Sequence, residues 1–387
     1  MFWRVLFVDE AATYRVLNRE ILLLIALAVG AMGVFAFTKR MAAKEQQMDA
    51  RIAAISYEEG QRQFSSGQIE KAIDSFRKAT TDALRDRTYA LALANALATG
   101  NHDAEAQQTL LRLREANPED AEINSQLARL AAKRGESDDA VHYYQNALYG
   151  RWDGTQVDER KLQLRVELIH FLLGHQQRDI ALSDLLILDT DLPRSEVAHV
   201  DTARLFLQAG DPQHAMKNYD AAIELDKDNV DALTEAGEAA FRLGDYSRAE
   251  GYLRGAVKLN PNMEKTRRLL FDTEMVLSGD PLAPHLTQQE AQERLLRGLT
   301  QASQRLEGYL SQTVDSREIS RLNTLREQAL AMESELHSKL PADPEQIKAG
   351  VELIYAIEKA TSTATGEPDG FDRALLLIGQ KHGGAQP

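Results

Sequence analysis

The 387 residues include no cysteine, which excludes disulfides, thiolate metal sites and thiol nucleophiles together. Aromatic residues make up only 6% of the chain against a hydrophobic fraction of 43%, a balance that fits helix-on-helix packing rather than a β-sandwich. The nine histidines are scattered. His170 and His175 stand five positions apart, about 140° around a helix, and cannot share a metal. No Walker loop, paired-histidine helix, serine elbow or Rossmann fingerprint occurs. The expectation is a non-catalytic protein with no cofactor, no metal and no small-molecule substrate.

Positive charge is also short: 45 Lys and Arg stand against 59 Asp and Glu. Residues 1–51 hold seven of the basic residues and five of the acidic ones, so the remainder carries 38 against 54. A chain so acidic is repelled by phosphates, which argues against nucleic-acid binding.

What the chain does contain begins with Ile21 to Phe37, seventeen residues without a charge. At 1.5 Å per residue this run covers roughly 25 Å, within the range of spanning helices. A leader of twenty residues carrying Asp9, Glu10 and Glu20, and Lys39-Arg40 directly after the run, argue against a cleaved signal peptide. A buried core helix is the other alternative. The reading is an uncleaved single-pass anchor over 21–38 behind a leader of residues 1–20. Ala26, Gly30 and Gly33 form a small-residue stripe as candidates for packing against a partner helix, set against ordinary Ala/Gly use in such helices. Four positive charges flank each side of the run, so orientation is nearly balanced, with a slight lean to a periplasmic solenoid. Residues 39–52 contain no Gly, Pro or Ser and are expected to continue as a helical connector.

From there a glycine followed by small and bulky residues recurs at nearly fixed offsets. The clear copies are Gly67/Ala72/Phe76/Ala79, Gly135/Ala140/Tyr144/Ala147, Gly210/Ala215/Tyr219/Ala222 and Gly244/Ala249/Leu253/Ala256. Gly210 and Gly244 are 34 positions apart, and Gly67 and Gly135 are two such periods apart. A period of that length marks stacked helix pairs. Two looser copies are expected to have longer turns, by one residue after Gly100 and by two after Gly174.

These residues resemble the tetratricopeptide repeat family, whose unit is two antiparallel helices with small residues where they approach. Residues 230–263 match best, with Gly237 at the close approach, Gly244-Asp245-Tyr246 as the turn and Pro261 closing the unit. The resemblance implies an all-α fold: a right-handed α-α superhelix of about six helix-pair repeats over 53–263, behind one N-terminal transmembrane helix and before a C-terminal helical cap. The family's carboxylate clamp is absent, because Ala54, Tyr57, Gln61, Thr234, Glu235 and Glu238 occupy its positions.

Residues 264–380 lack the repeat signature but read as helices. Thr287 with Glu290 forms a capping box, and Asp343-Pro344-Glu345-Gln346 reads as N-cap, first-turn proline and capping glutamine. This region is expected to cap the last repeat, the alternative being a docking module. Residues 381–387 are expected to form a disordered tail.

The resemblance further implies a membrane-anchored protein–protein interaction scaffold or chaperone-like adaptor, similar to tetratricopeptide proteins of the bacterial inner membrane. The alternative is a structural accessory subunit of a larger membrane complex, held by its transmembrane helix. Partners would be other proteins, as basic or extended segments, and the membrane through residues 21–38. Partners of this family lie in the groove lined by first helices. Arg129, Lys133, Arg204, Gln208, Glu238 and Arg242 recur at the ninth and thirteenth positions of three repeats and are the candidates there. Tyr143, beside the core residue Tyr144, is a further candidate.

Overall fold

A computed structural model describes residues 10–83, 86–312, 315–337, 342–365, 368 and 370–383. The side chains of residues 10–26, 316 and 363–365 lie outside that description. The described residues form an all-α fold whose first twelve helices pair off as repeats, with one isolated bridge, Asp120 to Arg151, and no strand. The first twelve helices are α1 (Glu10–Ser65), α2 (Ile69–Asp82), α3 (Arg87–Thr99), α4 (Asp103–Ala116), α5 (Ala121–Lys133), α6 (Ser137–Tyr149), α7 (Val157–Gly174), α8 (Arg178–Asp191), α9 (Glu196–Ala209), α10 (Pro212–Leu225), α11 (Val230–Arg242) and α12 (Tyr246–Leu259). After them come α13 (Glu264–Gly279), α14 (Gln288–Leu310), α15 (Ser316–Leu336), α16 (Pro344–Thr365) and α17 (Gly370–Gly383).

Each helix pair turns through one residue with left-handed backbone, and this corrects the expected phase. The left-handed residues are Gly67, Asn101, Gly135, Gln176, Gly210 and Gly244. Gly100 keeps an ordinary φ of −79°, while Asn101 next to it has φ 62°. The two looser copies therefore have turns of normal length; asparagine and glutamine stand where the other repeats use glycine. Asparagine accepts this conformation through its short polar side chain, so glycine alone does not mark the turn. In all six turns the next N–H donates to the carbonyl five residues before it, at 2.8–3.0 Å, as in Gln68 to Gln63, His102 to Leu97 and Gln177 to Leu172. The second helix then begins two residues after the left-handed residue in every pair.

Counted from these residues, the spacing is 34 throughout except between Gly135 and Gln176, which are 41 apart. Seven residues are therefore inserted ahead of the fourth pair, where the chain leaves α6 at Gly150 and passes Trp152 before entering α7. Trp152 donates to the Ala147 carbonyl at 2.9 Å, and the Arg160 guanidinium lies over its ring.

The chain divides into two compact units, residues 1–168 and 169–387. In both, small residues at the helix approach are sealed from solvent: Ala72, Ala79, Ala106, Ala140 and Ala147 in the first, Ala215, Ala222, Ala249 and Ala256 in the second. Gly237 has no room for a side chain, since a Cβ there would meet Leu253 Cγ at 2.6 Å. Successive second helices are also linked by ion pairs 28 residues apart: Arg77–Glu105 at 3.0 Å, Asp189–Lys217 at 2.9 Å and Asp220–Arg248 at 2.6 Å.

In the second unit α13 packs on α12 and on α17, while α14 packs on α16. Thr287 and Glu290 form the expected capping box, and Asp343 and Gln346 exchange N–H bonds at 2.8 and 3.0 Å. One correction falls at the C-terminus. α17 continues to Gly383, so Lys381 and His382 are helical rather than part of a disordered tail. They reach buried Asp280 at 3.0 and 2.9 Å. The remaining tail residues, 384–387, lie outside the described residues.

α1 is unbroken for 56 residues and includes positions 39–52. Among the described residues no helix is long and apolar enough to cross a membrane. Of the expected span, the side chains of residues 21–26 lie outside the description, and residues 27–37 are helical and exposed.

Candidate functional site

In the first unit, α3 and α5 are the first helices of neighbouring repeats, and a groove of about 410 Å³ lies between them. α5 contributes Glu122, Gln126, Arg129 and Lys133, which fall on one side because they step by four, three and four residues. α3 contributes Ala94, Asn95, Ala98 and Thr99, with Leu110 of α4 and Leu130 of α5 adding apolar surface.

The two cations predicted for this groove are there, and both are already engaged. Lys133 Nζ donates to the Ala98 carbonyl at 2.9 Å and to Asn101 Oδ1 and Asp103 Oδ1, each at 2.8 Å. Three donors meet three acceptors, so the ammonium group is saturated. Arg129 makes a two-pronged pair with Glu167 at 2.8 and 3.1 Å. Burial, followed by the Glu167 charge, pushes the neighbouring Tyr144 phenol up to about 12. Glu122 faces Arg160 at 3.5 Å.

Beside those paired charges, the side-chain amides of Asn95 and Gln126 line the groove. Asn95 is exposed, and Gln126 Oε1 is buried with no hydrogen-bond partner. Neither stood among the predicted site residues. Asn95 occupies the ninth position of the second repeat once that repeat is phased on Asn101, six residues later. Its place at the ninth position was the signal that would have found it.

In the second unit, Arg204 and Gln208 of α9 and Glu238 and Arg242 of α11 are all exposed. Arg204 is held between Asp201 at 2.6 Å and Glu235 at 2.5 Å. Arg242 Nε donates to the Glu238 carbonyl at 3.3 Å, within its own helix. Tyr143 is half-buried against the core of the first unit, with the Arg114 guanidinium 5.1 Å above its ring. The side chain of Ala26 lies outside the described residues. A methyl group added at Gly30 or Gly33 would meet nothing within 4 Å. Among the described residues no cluster of His, Asp or Glu is placed to hold a metal.

The tetratricopeptide repeat family matches residues 57–121, 91–154 and 200–264. Among solved structures, the C-terminal part of a TPR repeat-containing protein from Cytophaga hutchinsonii is similar at 16% identity and a TM-score of 0.45, over 61% of this chain and 97% of that one. PilF of Pseudomonas aeruginosa is similar at 15% identity and a TM-score of 0.40, over 57% and 96%. YrrB, described as a TPR protein with an unusual peptide-binding site, is similar at 18% identity and a TM-score of 0.39, over 50% and 95%.

Proposed function

We propose that this chain is a non-catalytic scaffold that holds an extended polypeptide segment in the α3–α5 groove and is fixed to a membrane by α1. The observation that carries the first part is the combination of paired charges with two side-chain amides, Asn95 exposed and Gln126 with an oxygen that has no partner. Arg129, Lys133 and Glu122 have partners in their own solenoid, whereas the amides of Asn95 and Gln126 both donate and accept over an apolar floor. An amide that donates and accepts matches the peptide backbone, not a charged side chain. This favours the extended character of the ligand over a basic one.

The membrane reading is supported by the outer surface of α1. Leu27, Val29, Met32, Val34, Phe35 and Phe37 are all exposed, and they point around the whole helix before Lys39 and Arg40. Apolar side chains facing every direction need an apolar solvent.

Two experiments test the proposal. Affinity capture from gently solubilised membranes is expected to return a reproducible set of proteins that is lost with Asn95→Ala combined with Gln126→Ala. An unchanged set would remove the groove from the reading. Alkaline carbonate washing is expected to leave the full chain in the membrane pellet and to release a chain lacking residues 1–38. Release of both would end the anchor reading.

A further inference from the structure

Starting at the end of the all-round apolar segment and running beyond it, α1 carries a narrower feature that neither the repeats nor the groove uses. Val34, Met41, Met48 and Ile55 recur every seven residues, with Thr38, Glu45 and Ile52 interleaved four positions after the first three. Met41 is 54% exposed, Met48 52%, Ile52 48% and Ile55 68%, so the row is unpartnered among the described residues. At about 100° per residue, Val34, Met41, Met48, Ile52 and Ile55 fall within an arc of roughly 60°.

The solenoid attaches to a different side of the same helix. Ala53 is fully buried and Tyr57 packs on Phe76 and Tyr89 of the first two repeats. Gly60 lets Phe76 within 2.7 Å of its missing Cβ. These positions lie more than about 90° from the centre of the exposed row. A second helix can therefore lie along the row without touching α2.

A seven-residue apolar repeat with a second position four residues on is the pattern that winds two helices together. The charges beside the row then decide which helix fits. Lys44 and Arg51 occupy the flank that precedes each interleaved position, and Asp49 occupies the opposite flank. In a parallel pair of identical helices a flanking residue on one meets the residue five positions later on the other, so Lys44 meets Asp49 of the second copy twice over. Lys44 also lies next to the second copy's Glu45, the single charged residue in the row between Val34 and Ile55. In an antiparallel pair the basic flanks would face one another. Lys44 and Asp49 make no ion pair within the described chain, and at a separation of five they do not share a helix face.

We propose that two copies of this chain associate in parallel through residues 34–55 of α1, with Lys44 of each paired to Asp49 of the other. This rests on α1 alone and is independent of what the groove binds.

The absence of native cysteine makes the test direct. Met48→Cys in the full chain is expected to cross-link to a dimer under mild oxidation, whereas Ala50→Cys, on the far side of the helix, is expected to remain monomeric. Lys44→Glu and Asp49→Lys should each lower the association constant roughly tenfold, by turning two attractive contacts into repulsive ones. An equimolar mixture of these two variants should associate better than either alone, because both contacts between positions 44 and 49 are then complementary. Both positions are exposed, so folding is not at stake. The proposal is overturned by a monomeric chain, by equal cross-linking at positions 48 and 50, by linkage of position 48 to another protein, or by a mixture no better associated than its components.

Discussion

Lys133 Nζ donates to Asn101 Oδ1 at 2.8 Å, so the first helix of one repeat holds the turn of the repeat before it. The acceptor belongs to a residue in left-handed backbone, and the same ammonium also takes the Ala98 carbonyl and Asp103. Lys133→Met is expected to destabilise the first unit by about 1–2 kcal/mol, since three partly exposed bonds to a charged donor are lost. Asn101→Ala is expected to cost about 1–2 kcal/mol for the left-handed backbone. Asn101→Gly, which keeps that conformation open, should cost less than Asn101→Ala. Urea unfolding midpoints would rank the three.

Two glycines of the last repeat should respond in opposite ways. Gly237→Ala drives a methyl group into Leu253 and is expected to destabilise by about 1–3 kcal/mol. Gly251→Ala, in the exposed interior of α12 with nothing within 4 Å, is expected to stabilise by roughly 0.5–1 kcal/mol. Thermal unfolding of the two single variants decides the point.

Glu358 of α16 is fully buried, with Arg305 of α14 at 3.5 Å and no hydrogen bond to either carboxylate oxygen. Burial, then the charge of Asp372 on α17, raises it from the ordinary 4.5 to about 7, against the pull of Arg305. The folded value lies above the unfolded one. The stability it contributes is therefore complete below about pH 4.5 and is lost as pH rises through about 7. The second unit should lose stability between pH 5 and 8, by an amount on the order of 2–3 kcal/mol. Glu358→Gln should flatten that dependence and raise the melting temperature at pH 8. A slope unchanged in the variant would contradict the assignment.

Asp280 tests the C-terminal helix. Burial raises its pKa, but hydrogen bonds from His382 and Lys381 outweigh burial and hold it below the ordinary 3.8. Its contribution is present above about pH 3.8 and is lost as pH falls below that value. Lys381→Ala with His382→Ala leaves a buried carboxylate without these two hydrogen-bond donors, and is expected to cost about 3 kcal/mol near pH 7. Melting curves of the double variant should also show a weaker loss of stability in acid than the parent chain.

The helix pairs were legible because their signals are local. Gly67, Ala72, Phe76 and Ala79 announce a turn and a buried face within one short stretch, and the copies at Gly210 and Gly244 repeat it. The phase failed at Asn101 and Gln176 because left-handed backbone is a preference of glycine and not its monopoly. Arg129 and Lys133 line the α3–α5 groove, but that their charges are already engaged was not legible in the sequence. Their partners Glu167 and Asp103 lie 38 and 30 residues away in the chain.

The sequence by itself determined the helices, their caps and the helix-pair period, because those depend on residues three to five positions apart. Only the tertiary structure decided which charges are neutralised and which polar groups remain for a partner. Stacking brings together residues about one repeat apart, such as Arg204 with Glu235 and Asp220 with Arg248. No local pattern marks such pairs, since each forms only when one helix pair has docked on the next and water has been displaced between them.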